Sequence, residues 1–312
     1  MSARQPGPVA ARLARLRDSD LWYSFIRSPV TIVAALVTVV FVGGTILAPL
    51  LAPHTPFEPA TLDLNDAFKP PAWSEGGDWT VPLGTDNQGR DMLSTIMFGS
   101  RISLLVGFAA VMLAVLIGVV LGLTAGYAGG WFDAAVMRAA DVQLTIPAIL
   151  LALLIDGVAR AMLPADAKDQ YAYLVLIVAI GIANWPQYAR VVRSEALVEK
   201  SKDYVAAARV IGVPAWSIML RHILPNVLGP VLVIATLGLA LAIITEATLS
   251  FLGVGLPPTS PSLGTLIRVG NDFLFSGEWW ITLFPALALV ILSLAVNLLG
   301  DWLRDALNPK LR

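Results

Sequence analysis

The chain has 312 residues, of which 57% are hydrophobic and 14% charged, with a formal net charge of −1; soluble domains carry roughly 25% charged residues. A mean hydropathy of +0.74 excludes an ordinary soluble domain, and the near-neutral charge gives no sign of a nucleic-acid partner; none is expected. The absence of cysteine excludes disulfides, thiolate metal sites and cysteine nucleophiles, and the two histidines, His54 and His222, are too far apart in sequence to suggest a metal cluster.

Residues 1–29 form a cytoplasmic N-terminal segment in this reading. Within it "PVAARLARLRDSDLWYSFIR" (8–27) has the pattern of an amphipathic surface helix, with Trp22, Tyr23 and Phe25 at the interface. The first apolar run, Val30–Leu51, is too long for a signal h-region, and Pro49 and Pro53 make a poor cleavage site, so an uncleaved anchor is expected over 30–52. Residues 53–100 are rich in Pro, Asp, Gly and Trp, have no long apolar run, and are expected to fold as a small extracytoplasmic subdomain.

A permease-like core of spans is expected over 101–303. Its apolar runs are Ile102–Leu123, Val136–Ile155, Tyr173–Trp185, Val227–Ile244 and Ile281–Leu303, making six spans with the first. The run ending at Trp185 is short and is expected to continue through Pro186, since proline in a membrane helix kinks without ending it. Arg138 and Asp141 share a helical face, which predicts an intrahelical ion pair. Glu246 is the other ionisable residue near membrane depth, a functional candidate by position. Between spans four and five lies a half-polar cytoplasmic loop, 189–226, and residues 304–312 form a cytoplasmic tail. Fifteen of the 21 basic residues fall in the two termini, that loop and the start of span three, which predicts both termini inside. In "GYAGGWFD", Gly126, Gly129 and Gly130 predict a tight turn with Trp131 at the interface. Gly118, Gly122, Gly181 and Gly238 predict close helix packing.

No Gly-rich loop ending in Gly-Lys-Ser/Thr and no His-Glu-x-x-His occurs. Catalytic residues and a metal site are therefore not expected, and an enzyme is the weakest reading. A proton-coupled carrier is the rival of another class, disfavoured by the few mid-membrane charges and the lack of an inverted repeat.

Four stretches carry a family resemblance. "DYVAAARVIGVPAWSIMLRHILPN" (203–226) resembles the EAA loop of ABC-importer permeases: Glu-Ala-Ala, three residues, Gly, nine residues, Ile-x-Leu-Pro. Ala206 stands at the Glu position, then Ala207, Ala208 and Gly212; His222 stands at the Ile position, then Leu224 and Pro225. "LGTDNQGRDMLSTIMFGSRISLLVG" (83–107), "GYAGGWFDAAVMRAADVQLTIPAILLAL" (126–153) and "TEATLSFLGVGLPPTSPSLGTLI" (245–267) resemble the dipeptide/oligopeptide (DppC/OppC-like) branch. The resemblance runs from Phe25 to the C-terminus.

It implies an all-α integral membrane protein of the type I ABC-importer permease fold: six transmembrane helices, with an outer loop subdomain between helices 1 and 2. It also implies a homologous second permease, two ABC ATPase subunits that bind ATP-Mg, an extracytoplasmic solute-binding protein and surrounding lipid, with no cofactor in this chain. The solute implied is a dipeptide or oligopeptide, with nickel complexes or other peptide-like solutes as the alternative. ATPase coupling maps onto Tyr204, Ala206, Ala207, Ala208, Arg209, Gly212, Leu224 and Pro225. The alanines would let a partner backbone approach, and a side chain at Gly212 would clash with the turn or the partner. The extracytoplasmic motif maps onto Gly84, Thr85, Asp86, Gly89, Arg90 and Asp91. Its residue-level reading is a set of turns, with Asp86 and Asn87 bonding local backbone and Gly89 left-handed.

Overall fold

The computed structural model describes residues 20–57, 63–164, 167–257 and 259–307. The remainder of the 8–27 segment and residues 308–312 of the tail lie outside the described residues. The helices are α1 Asp20–Arg27, α2 Pro29–Ile46, α3 Ala48–Leu51, α4 Met92–Ala128, α5 Gly130–Leu144, α6 Ala148–Met162, α7 Lys168–Lys200, α8 Asp203–Val210, α9 Ala215–Ile218, α10 Leu224–Phe251, α11 Leu263–Asn271 and α12 Trp280–Leu307. Among the described residues there is no strand, only an isolated bridge between Thr85 and Asp91.

Five helical stretches are long and apolar enough to cross a membrane, and α5 with α6 makes a sixth if the bent pair counts as one span. That pair corrects the straight third span expected over Val136–Ile155, because the two helices meet at 94°. The cause is local. Pro147 pushes Ile146 out of the α region, and Thr145 turns its hydroxyl back onto the Val142 carbonyl at 2.6 Å, closing α5. The polar face of α5 then pairs across space. Asp133 pairs with Arg193, and Asp141 with Arg190 of α7, not with Arg138 as helical spacing predicts. A partner on a packed neighbouring helix displaces the i,i+3 partner.

The fourth span continues through Pro186 as expected, as the 33-residue α7. Proline has no N–H, so the Ile182 carbonyl four residues earlier loses its helical donor. Gln143 of α5 supplies a replacement: its Nε2 donates to the Ile182 carbonyl at 2.6 Å and to that of Ala183 at 3.2 Å. Trp185 Nε1 donates back to Gln143 Oε1 at 2.9 Å. The break in one helix is thus satisfied from the next.

The long helices α4 and α7 pack at backbone contact. A Cβ on Gly122 would sit 2.4 Å from the Ala189 carbonyl, and one on Gly238 of α10 would sit 2.1 Å from Tyr188 Oη. Tyr188 is thereby wedged between α4 and α10, fully buried. The turn at Gly129 and Gly130 forms, both with positive φ, but Gly126 belongs to α4 and packs on Ala196. At one end of the bundle α8 and α9 project as a hairpin; at the other lie residues 63–91 and α11.

Candidate functional site

The hairpin is built by local rules. Helix α8 ends in a Schellman motif: Val213 N–H donates to the Ala208 carbonyl and Gly212 N–H to that of Arg209, both at 3.0 Å. This requires a left-handed residue, and Gly212 has φ +82°. Pro214 follows in extended conformation and starts α9. From Ala215 to Phe251 the chain is one continuous 37-residue helix. A π-helical turn, Met219–Ile223, sits just before Pro225. The missing Pro225 N–H and this widened turn mark the place where hairpin passes into span.

The hairpin shares a hydrophobic core with the bundle. Val205, Ala208, Ile218 and Ile223 are buried against Leu123, Val192, Ala196 and Val227 of three long helices. Polar locks complete it. Glu199, at the end of α7, accepts from Lys202 Nζ at 2.5 Å and from Tyr204 Oη. The same Tyr204 oxygen accepts from Asn226 Nδ2 at 3.2 Å. The hydrogen bond from Lys202 to the Glu199 carboxylate holds the ammonium above its usual range. Burial, and then the same carboxylate, push the Tyr204 hydroxyl up. Lys200 Nζ donates to the Tyr127 carbonyl at the end of α4, and Arg209 stacks over the Tyr127 ring at 5.2 Å. Displacing this unit therefore pulls on α4, α7 and α10 together.

Of the residues assigned to coupling, Ala206, Ala207 and Arg209 are exposed. Ala208 is turned inward and does not offer a surface. A Cβ on Gly212 would meet nothing within 4 Å. The expected clash with the turn is absent, and within this chain the left-handed backbone accounts for the glycine. The crest of the hairpin is instead Val210, Ile211 and Trp216, which are 87%, 77% and 58% exposed. An apolar cluster projecting from a rigid support has the form of a protein contact. The EAA pattern did not name these residues; two adjacent β-branched residues before a helix-ending glycine were the available signal.

The second motif contrasts with the first. Thr85, Asp86, Arg90 and Asp91 are all buried. Asp86 accepts from Gln88 N–H at 2.8 Å, Arg90 N–H at 3.0 Å and Arg90 Nε at 2.6 Å. Thr85 Oγ1 donates to the Asp66 carbonyl and accepts from Lys69 N–H, while its carbonyl accepts from Trp280 Nε1 at 3.0 Å. Asp91 caps α4 through Ser94 N–H. Gly84 and Gly89 are left-handed, and a Cβ on either would lie about 2.5 Å or less from the Lys69 or Asp63 carbonyl. The turns form as read, except that Asn87 Oδ1 is buried without a partner. The motif is a frame; what faces outward near it is Trp79 and Phe275.

Glu246 lies fully buried in α10. Its carboxylate oxygens meet Ser103 Oγ of α4 and Ser250 Oγ, each at 2.7 Å, and Ser103 accepts from Leu263 N–H at the start of α11. Gly264 of α11 lies so close to α10 that a Cβ would be 2.2 Å from the Ala247 carbonyl. Glu246 thus joins α11 to the bundle. Among the described residues no group of three or more acidic, histidine or cysteine side chains could hold a metal.

Residues 118–312 match the family described as "Binding-protein-dependent transport system inner membrane component", and residues 19–71 match "N-terminal TM domain of oligopeptide transport permease C". The chain is 38% identical over 294 residues to the dipeptide transport system permease protein DppC of Haemophilus influenzae, covering 94% of this chain and 95% of the relative. It is 41% identical to that of Escherichia coli K12, covering 94% and 93%, and 36% identical to the di/tripeptide transport system permease protein DppC of Pseudomonas aeruginosa, covering 94% and 92%.

Proposed function

From the premise that this chain belongs to the binding-protein-dependent ABC-importer permeases of the dipeptide/oligopeptide branch, we propose that it imports dipeptides as one of two permeases driven by ATPase subunits. The observation that carries the coupling role is the hairpin: a unit packed on the long helices through a shared core, with an exposed apolar crest of Val210, Ile211 and Trp216. An ATPase subunit seats on that crest. When ATP-Mg, bound by the ATPases, draws them together, the hairpin moves as a body. Its continuity with α10, its core shared with α7 and the stacking of its Arg209 on Tyr127 of α4 carry the motion into the membrane. The spans then alternate between openings on the two sides. A solute-binding protein delivers the peptide at the opposite end, against the surface framed by residues 63–91 and α11. This chain supplies the path and the lever, and chemistry occurs in the partners.

The distribution of Lys and Arg supports a hairpin on the cytoplasmic side, together with both termini. Single cysteines test this cleanly in a chain with none. In intact cells Ser74→Cys should react with a membrane-impermeant maleimide and Ser201→Cys should not; the reverse pattern inverts the topology.

The function is tested by reconstituting the complete transporter in proteoliposomes and measuring uptake of a labelled dipeptide. Uptake should require ATP hydrolysis and the binding protein, and should persist when the proton gradient is collapsed. Uptake that follows the proton gradient and ignores ATP would overturn the reading.

A further inference from the structure

Arg101 is the tenth residue of α4, inside a membrane-crossing helix. Its side chain is exposed, and among the described residues no carboxylate lies within ion-pair distance of it. A cation exposed on a span is costly in hydrocarbon unless its head reaches the interface or an anion comes to it. Arg101 lines a groove of about 340 Å³ where α2, α4 and α10 meet, walled otherwise by apolar side chains that include Ile46, Leu105, Phe108 and Leu239. The one other polar side chain lining the groove, Thr45, is occupied: its hydroxyl donates to the Phe41 and Val42 carbonyls of its own helix.

We propose that this groove binds one glycerophospholipid from the leaflet at the Asp86–Arg90 end of the bundle, with an acyl chain along Leu105 and Phe108 and the headgroup phosphate on the Arg101 guanidinium. Three observations select that occupant. The guanidinium presents paired donors that match phosphate oxygens. The walls below it are apolar, so the ligand is an amphiphile with its anionic group at one end. The groove is also shallow: from Arg101 to Phe108 a helix rises about 10 Å, against about 30 Å of hydrocarbon. A chain from one leaflet fits that depth, whereas a partner's spanning helix would need a seat across both. Arg101 sits near the end of α2, at Thr45 and Ile46, where a long side chain reaches headgroup level. A lipid bound there would join α2 to α4 and α10 by a contact that none of the three makes alone.

The test uses the complete transporter, delipidated and titrated in detergent with dioleoylphosphatidylglycerol while native mass spectrometry counts retained lipid. Two probes separate head from chain: dioleoylglycerol, with the same chains and no phosphate, and glycerol 3-phosphate, with phosphate and no chains. One phospholipid should outlast the rest, and neither probe should replace it. Arg101→Gln should weaken its retention about tenfold, the scale of one lost charge-assisted contact. Leu105→Trp, which fills the groove, should do the same, and Arg101→Lys should fall between. Equal retention by Arg101→Gln, or equal binding of dioleoylglycerol, would overturn the site. The unaltered chain provides an independent measurement if a variant fails to assemble. A phosphatidylglycerol with a photoactivatable acyl chain should label residues of the 101–108 stretch or the facing end of α2. Labelling elsewhere, or cross-linking of Leu105→Cys to the second permease, would assign the groove to something other than lipid.

Discussion

The hairpin and the Gly84–Asp91 turn are the two most motif-dense stretches of the chain, and they fold by the same devices in opposite senses. Each turns on left-handed glycine, and each is tied to the long helices by side-chain hydrogen bonds, the hairpin through Tyr204 and Glu199 and the turn through Trp280. The hairpin puts its apolar residues, Val210, Ile211 and Trp216, into solvent and locks itself with charges at its base. The turn buries its charges, Asp86 and Arg90, and leaves surface contact to other residues. A dense motif therefore marks geometry in both places but a contact surface in only one. What separates them is the fate of the side chains: an exposed apolar crest is unfavourable in water unless a partner covers it, whereas a buried ion pair has no surface to offer.

The comparison breaks most decisively at the crest. Val210→Asp with Ile211→Asp should abolish dipeptide uptake and ATPase co-purification while membrane abundance stays at the wild-type level, because neither residue belongs to the hairpin core. Uptake and co-purification at wild-type levels would mean that the crest is not a docking surface. The next effect belongs to the turn. Asp86→Ala removes the carboxylate that pairs with the buried Arg90 guanidinium, a loss of about 3–5 kcal/mol, and should lower membrane abundance and the thermal midpoint. Adding Arg90→Met should recover part of that loss, as it removes the buried charge that Asp86 balanced. No recovery would show that Asp86 acts through its bonds to the Gln88 and Arg90 backbone.

Gly212→Ala should cost about 1 kcal/mol through the left-handed backbone, with Gly212→Asn milder because asparagine tolerates that region. Since open space surrounds the position, a bulky residue should lose uptake through the partner contact and not through misfolding. Abundance and uptake measured side by side separate the two. Glu246→Gln, whose amide oxygen accepts from one serine while its amide nitrogen donates to the other, should change the thermal midpoint little, whereas Glu246→Leu should loosen α11 and raise its protease sensitivity. Smallest of all, Ala206→Glu adds the common family residue at an exposed position of α8 and should leave uptake unchanged.

Much of this architecture was legible because its causes are local. Hydropathy marked five of the spans. Proline chemistry predicted that α7 would continue through Pro186, and glycine chemistry predicted the turns at Gly89, Gly129 and Gly212. The family pattern located the hairpin. All of these depend on a residue and its near neighbours along the chain. The tertiary structure decided the rest. Gln143 caps a carbonyl 39 residues away, and Asp141 pairs with Arg190 across 49 residues in preference to Arg138. Ala208 faces the core while Val210 and Ile211 face out, and Arg101 stands over an apolar groove with no carboxylate in reach among the described residues. Helical periodicity places a residue on a face, but it carries no information about which helix covers that face. Only packing determines whether a charge finds a carboxylate, a freed carbonyl or the lipid.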